Sequence, residues 1–189
     1  MENKILVVDL ETSDFLDKGG KIVEVGLVEL DITTGARAIV YDSLVLDPTL
    51  DCSTLHQSWI CVNKYISPID IFAAPSLVDE SSKIQSIIDS YSNGMTAFNK
   101  RFDFGFLEAN GFSIPKKLAC PMEVATNICK IPKTGKAKFY PGYKWPNVEE
   151  AYAFFFPGEE YQELHRGADD AFHEAKIVYE LIARGKIIV

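Results

Sequence analysis

Val7-Val8-Asp9-Leu10-Glu11-Thr12 is an apolar run that ends abruptly in two carboxylates one residue apart. Side chains on a strand alternate faces, so Asp9 and Glu11 point the same way if this run is a strand. Two carboxylates side by side repel each other unless positive charge lies between them, and a hard divalent cation with oxygen ligands is the usual partner. The fold therefore turns on whether the chain brings further ligands to this strand end.

Outward from that run, Lys4 to Asp9 reads as the first strand, Lys21 to Leu30 as a second and Ala36 to Leu46 as a third. Their short links predict an antiparallel meander. From Asp47 to Pro75 the pattern is irregular, with Pro48, Pro68 and Pro75 spread through it, and a long loop with short helical turns is expected. Val78 to Tyr91 carries apolar residues at helical spacing, ended by Asn93-Gly94, and Met95 to Phe98 follows as a brief buried strand. That strand runs into a helix closed by Asn110-Gly111. Asn99 and Asp103 share a face at its start, with Phe102, Phe106 and Leu107 on the core side. A third carboxylate thus sits at a strand-to-helix junction, where ligands bind in open α/β sheets.

Pro121 to Cys129 is a further helix, and Pro146-Asn147 opens another with Val148, Ala151, Tyr152 and Phe155 on one face. The last helix spans Ala168 to Arg184, its buried stripe formed by Ala171, Phe172, Ala175, Val178, Tyr179 and Ile182. His165-Arg166-Gly167-Ala168-Asp169-Asp170 stands at its entry. Taken singly, these polar groups have ordinary explanations: acids in a first turn favour the helix dipole by about 0.3–1 kcal/mol, and Asn99 suits a turn.

Composition limits what such a cluster serves. A chain of 189 residues that is 47% hydrophobic buries one sizeable core, so residues 1–189 are read as a single domain. No apolar run nears the roughly 20 residues of a membrane helix, and Met1-Glu2-Asn3-Lys4 lacks a signal-peptide layout, so a cytoplasmic protein without membrane contact is expected. Cys52, Cys61, Cys120 and Cys129 form no C-x-x-C pair, and Cys52, His56 and Cys61 lack a fourth ligand for structural zinc. The net charge of −8 argues against a broad basic face gripping duplex DNA, though not against nucleic acid held locally. The single basic stretch is Lys130 to Lys144, where Lys130, Lys133, Lys136, Lys138 and Lys144 interleave with Tyr140 and Tyr143. It reads equally as a loop touching phosphates and bases and as a solvated segment.

Together, D-x-E ending the first strand (residues 9–11), N-x-x-x-D after a central strand (99–103) and H-x-x-x-x-D opening the last helix (165–170) closely resemble the three motifs of the DEDDh, DnaQ-like exonucleases. Lys21-Ile22-Val23-Glu24-Val25-Gly26 and Ala73-Ala74-Pro75-Ser76-Leu77 add to the resemblance, which covers about residues 4 to 184. It implies a ribonuclease H-like α/β domain, a mixed central sheet flanked by helices. It also implies 3′-to-5′ hydrolysis of terminal phosphodiester bonds in single-stranded DNA or RNA, giving nucleoside 5′-monophosphates with two Mg²⁺ or Mn²⁺ ions. By that resemblance, Asp9, Glu11, Asp103 and Asp170 are the metal ligands, with Asp170 rather than Asp169 in the last position. His165 is the general base, on a mobile loop before the last helix that substrate binding can order, so that without substrate the ring can stand either inward or turned away.

Leu10, Thr12, Asn99 and Phe102 are the substrate-contacting positions the resemblance implies, although Leu10 and Phe102 suit the core equally well. The sequence departs from the family pattern at Leu10, where threonine is frequent, at Phe98, where histidine often stands, and at Gly167, where alanine is common. None of these removes a ligand or the base. A non-catalytic nucleic-acid-binding or polymerase-associated scaffold, or a hydrolase of dinucleotides or other small phosphodiesters, are the alternative functions. Relatives in such a family occur as homodimers and as polymerase-bound subunits. The end of the chain at Val189, just after the last helix, favours a free-standing enzyme.

Overall fold

The computed structural model describes residues 3–189; Met1 and Glu2 of the amino-terminal stretch lie outside the described residues. The founding strand, β1 (Lys4–Thr12), runs three residues past Asp9, so both acids stand on the strand itself. Its run Ile5-Leu6-Val7-Val8 shows no polar alternation because both faces are covered. Ile5 and Val7 join Val28, Leu30, Ala171, Ala175 and Val178 in one cluster, while Leu6, Val8 and Leu10 join Leu27, Ile84, Phe106 and Leu107 in another.

The expected meander is present. β2 (Ile22–Asp31) pairs antiparallel with β1, and β3 (Arg37–Leu44) pairs antiparallel with β2. β4 (Met95–Thr96) then pairs with β1 in parallel, giving the order β3-β2-β1-β4 and a mixed sheet. β4 is shorter than the Met95 to Phe98 strand expected. Beyond it, one parallel bridge between Met95 and Lys117 extends the sheet edge.

The helices flank this sheet. The irregular stretch resolves into α1 (Cys52–Gln57), α2 (Trp59–Val62) and α3 (Pro68–Ala73), which bury Leu55, Ile60, Cys61 and Ile71 against Val23. α4 (Leu77–Asp89) and α5 (Lys100–Ala109) cover the Leu6 face of β1. α6 (Pro121–Cys129) begins and ends where the sequence places it. α7 (Val148–Phe155) is started by a capping box in which Asn147 and Glu150 satisfy each other's backbone N–H groups. α8 (Gly167–Ala183) lies across the other face, its alanines Ala171 and Ala175 permitting close approach to the strands. Among the described residues, no helix is long and apolar enough to cross a membrane.

Candidate metal centre and active site

Strand alternation decides which helix meets the acids. Asp9 and Glu11 share the side of Ile5 and Val7, the face that α8 covers. On β2, Glu24 and Gly26 face the same way, and Glu11 and Asp9 are their register partners. Gly26 is required by crowding: a Cβ there would lie 2.0 Å from the carbonyl carbon of Gly167. The start of α8 therefore rests directly on β2, and Asp170 in its first turn is brought to the end of β1. Glycine at 167 also fits the site, since a Cβ there would meet the Gly26 nitrogen at 2.9 Å.

Asp170 is buried and well held. Its Oδ1 accepts from the Tyr161 hydroxyl at 2.7 Å and from Leu164 N–H at 3.2 Å, and its Oδ2 accepts from Arg166 N–H at 2.9 Å. Asp169, by contrast, is half-exposed and lies 3.4 Å from His173 Nδ1. Glu24 is fully buried beneath this turn. It accepts from Arg166 Nε at 3.0 and 3.2 Å, from Nη2 at 2.7 Å and from Gly167 N–H at 3.1 Å. The fork geometry suits an ion pair whose carboxylate is buried and whose guanidinium reaches the surface.

Asp103, on the first turn of α5, is buried and accepts from Leu10 N–H at 3.2 Å, which ties that helix to the strand between the two acids. A further carboxylate, Glu174, lies one turn after Asp170; it is buried and accepts from Phe98 N–H at 3.4 Å.

So many acids in so little water hold their protons tightly. Burial first, then the charges of Glu174, Asp103, Glu11 and Asp170, raise the Asp9 carboxyl well above its ordinary range. Burial and the Asp170 and Glu24 carboxylates push Glu11 up to about 9. Burial raises Asp103 to about 8 against the opposing Leu10 N–H bond. Burial, Asp170 and Glu149 lift Glu163 to about 7. Burial and Asp103 raise Glu174 as well. A divalent cation with oxygen ligands fits this donor set, because its charge would relieve the repulsion that otherwise keeps protons bound. Glu11, His165 and Asp170 each offer a ligand atom within 4.8 Å of the others, and this is the one such group among the described residues; the cysteines and His56 form none.

His165 is not turned away; it takes the inward of the two expected poses. Its backbone is left-handed at φ 53°, a conformation few residues other than glycine adopt, and its ring faces Glu11 and Asp170. The ring lies edge-on to Trp59 at 4.7 Å and to Tyr65 at 4.2 Å between centroids.

A cavity of about 730 Å³ opens beside the acids, lined by Leu10, Glu11, Thr12, Phe15, Trp59 and Phe102 among others. Leu10 is both core and lining, with 3% of its surface exposed. Asn99 is not in this cavity. It lies with Arg101 and Trp145 in a neighbouring one of about 550 Å³, on which Phe15 and Phe102 also border. These two phenylalanines meet edge-to-face at 6.2 Å. In the basic stretch, Lys133 Nζ donates to the Pro141 carbonyl at 2.7 Å and Lys144 pairs with Glu150, while Lys130, Lys136 and Lys138 are exposed.

Sequence reasoning missed the parts played by Glu24, Tyr161, Glu174, Trp59 and Tyr65. The alternation Glu24-Val25-Gly26 carried a usable signal, since a strand that abuts a helix through glycine buries its same-face neighbours too. Trp59 and Tyr65 carried none, lying in a segment without periodicity.

No protein-family model matches the sequence, and no curated protein does. Solved structures do. A 3′-exonuclease described in 3′-end specific recognition of a histone mRNA stem-loop aligns over 99% of this chain and 85% of its own, with a TM-score of 0.70 at 15% identity. The nuclease domain of 3′hExo, a DEDDh family member bound to rAMP, aligns over 99% of this chain and 96% of its own, with a TM-score of 0.67 at 15% identity. The fold is the ribonuclease H-like fold of these exonucleases. Cell-death related nuclease 4 shares it, with a TM-score of 0.70 at 13% identity over 98% of this chain and 66% of that one. Within the ribonuclease H-like fold, the end of β1 and the start of α8 are where this chain gathers its acids.

Proposed function

We propose that the protein is a metal-dependent 3′-to-5′ exonuclease that removes nucleoside 5′-monophosphates from single-stranded DNA or RNA. The observation that carries this reading is the convergence of Glu11, His165 and Asp170 within 4.8 Å at the end of a strand that also bears Asp9 and contacts Asp103. Asp9, Glu11, Asp103 and Asp170 would hold two Mg²⁺ or Mn²⁺ ions. When bound, such ions make a coordinated water more acidic and offset the charge of the scissile phosphate.

The remaining work falls to the chain itself. A ring nitrogen of His165 takes the proton of the attacking water, imidazole being suited to that near neutral pH. The Asp170 carboxylate is oriented by the Tyr161 hydroxyl and two backbone N–H groups before any ligand arrives. Leu10, Thr12 and Phe102 line the cavity beside the acids and contact the terminal nucleotide, while Asn99 contacts substrate only through the neighbouring cavity. A nuclease that grips a terminus through metals needs no broad basic face, which fits the net charge of −8. The cytoplasm is the compartment that goes with this proposal.

The test is digestion of 5′-labelled single-stranded DNA and RNA in Mg²⁺, Mn²⁺ or chelator. A ladder that shortens from the 3′ end with metal and stays intact with chelator is expected. No metal-dependent shortening on either polymer, with dinucleotides also untouched, would overturn the reading and leave a non-catalytic scaffold.

A further inference from the structure

The histidine at the acidic centre precedes α8 and stands in a left-handed backbone conformation. Two sets of contacts fix it. Behind the ring, the backbone is pinned on both sides: Leu164 and Arg166 N–H donate to Asp170, and Arg166 and Gly167 bind Glu24. Around the ring, Trp59 and Tyr65 stand edge-on at 89° and 65°, and they touch each other at 5.1 Å. Both come from the short helical segment after β3, which has no other connection to α8 in sequence. Trp59 also lines the cavity beside Glu11, whereas Tyr65 does not.

We infer that Trp59 and Tyr65 are positioning residues that hold the His165 imidazole over Glu11 and Asp170 before substrate arrives. This rests on the exonuclease reading for its kinetic consequence and on geometry alone for its structural one. Pinning the backbone leaves the ring free to rotate about its own side-chain bonds; a bracket of two aromatic rings removes that freedom, because edge-to-face aromatic contacts prefer a narrow set of orientations. Because Trp59 belongs both to the bracket and to the cavity wall, a base occupying the cavity rests on the same ring that steadies the histidine. Tyr65 borders the histidine and Trp59 but not the cavity, so the two residues separate positioning of the histidine from contact with substrate.

The decisive variants are Tyr65→Leu and Trp59→Ala, with Tyr65→Phe as the rescue; both positions are partly exposed, so the fold tolerates change there. On the metal-free protein, the ring C–H resonances of His165, assigned by their absence in His165→Ala, are read by NMR. Ring currents from two aromatic neighbours displace them from the values of an exposed histidine such as His56. Tyr65→Leu and Trp59→Ala are expected to return them towards those values, and Tyr65→Phe to leave them in place. With oligonucleotide and metal, Tyr65→Leu is expected to lower kcat about 3- to 10-fold, the factor that loss of one aromatic pair corresponds to, with KM unchanged. Tyr65→Phe restores kcat, and Trp59→Ala changes kcat and KM together.

Unshifted His165 resonances in both truncated variants, or a kcat equal to that of the unmodified protein in both, would overturn the bracket. Should Tyr65→Leu fail to fold, Trp59→Ala decides by the same spectrum. An unmodified protein that cleaves no nucleic acid sinks the exonuclease reading, and the metal-free spectrum still decides the bracket.

Discussion

The end of β1 and the segment of α1 to α3 meet at His165, and they contribute to the site in opposite ways. The first is regular: strand parity and one helix start fix Asp9, Glu11 and Asp170, and a glycine contact sets their distance. The second has helices of four to six residues, and its contribution is two aromatic rings rather than any charge. The acids gather a set of oxygen donors at a cost in stability, because each buried carboxylate opposes its neighbours. The aromatic segment supplies orientation and adds stability, because its rings cover one another. The two regions should therefore respond to substitution with different signatures.

The largest effects belong to the acids. Asp9→Asn is expected to reduce metal-dependent turnover by about 10³-fold or more, since a ligand that serves the reacting phosphate contributes several kcal/mol. The same change removes a carboxyl that burial and its acidic neighbours hold protonated when the unfolded chain would release the proton, so thermal unfolding in chelator at pH 8 should move upward. An Asp9→Asn protein that keeps its activity breaks the assignment; one that loses activity and stability together breaks the account of repulsion. His165→Ala comes next, at about 10²- to 10⁴-fold in kcat, with metal affinity by titration calorimetry nearly unchanged.

The pH dependence of the metal-free protein tests the same repulsion without mutation. Glu11 and Asp103 have ordinary values of 4.5 and 3.8 but are pushed up to about 9 and about 8 when folded. Above pH of about 4 the unfolded chain releases these protons while the folded chain keeps them, so stability falls as pH rises towards the folded values. In chelator, the melting temperature should thus be higher at pH 5 than at pH 8, with about 2–4 °C for each kcal/mol at this chain length. Added Mg²⁺ should restore most of the loss at pH 8. A melting temperature that climbs from pH 5 to pH 8 in chelator removes the electrostatic argument for the metal centre.

Stability itself is most sensitive at the pair beneath the turn. Arg166→Ala leaves the buried Glu24 carboxylate with only the Gly167 N–H, and because the guanidinium it loses is half exposed the expected cost in denaturant unfolding is about 1–3 kcal/mol. Glu24→Gln should cost less, because a neutral amide carries a smaller burial penalty.

The legible parts of the molecule were those with a local pattern. The first strand declared itself as a short apolar run, the second by alternation, the two long helices by helical spacing and α6 by its proline start, while the four acids stood out as a set through the resemblance of their three motifs. β4 came out two residues long because Ala97 and Phe98 turn towards α5, something no local pattern announces. Trp59 and Tyr65 were illegible for a different reason. Their role depends on a contact across about 100 residues, made by a segment whose short helices are held by Leu55, Ile60 and Ile71 rather than by intrinsic propensity. The inward pose of His165 was likewise hidden, because it is decided by those two rings.

The smallest expected effect concerns the basic stretch, where five lysines fall within residues 130–144 of this acidic chain. Lys133 and Lys144 are engaged by Pro141 and Glu150, whereas Lys130 and Lys136 are exposed and Lys138 leans over the exposed Phe139 ring at 5.1 Å. A lysine that touches a single-strand phosphate contributes about 0.7 to the slope of log affinity against log salt. Converting these three to glutamine should therefore flatten the slope by about 2, while kcat at saturating substrate stays the same. Converting Lys133 and Lys144 instead should leave the slope alone, because those ammonium groups are already spent within the chain. An unchanged slope in the triple variant would make the stretch a solvated loop and confine substrate binding to the two cavities on either side of Phe102.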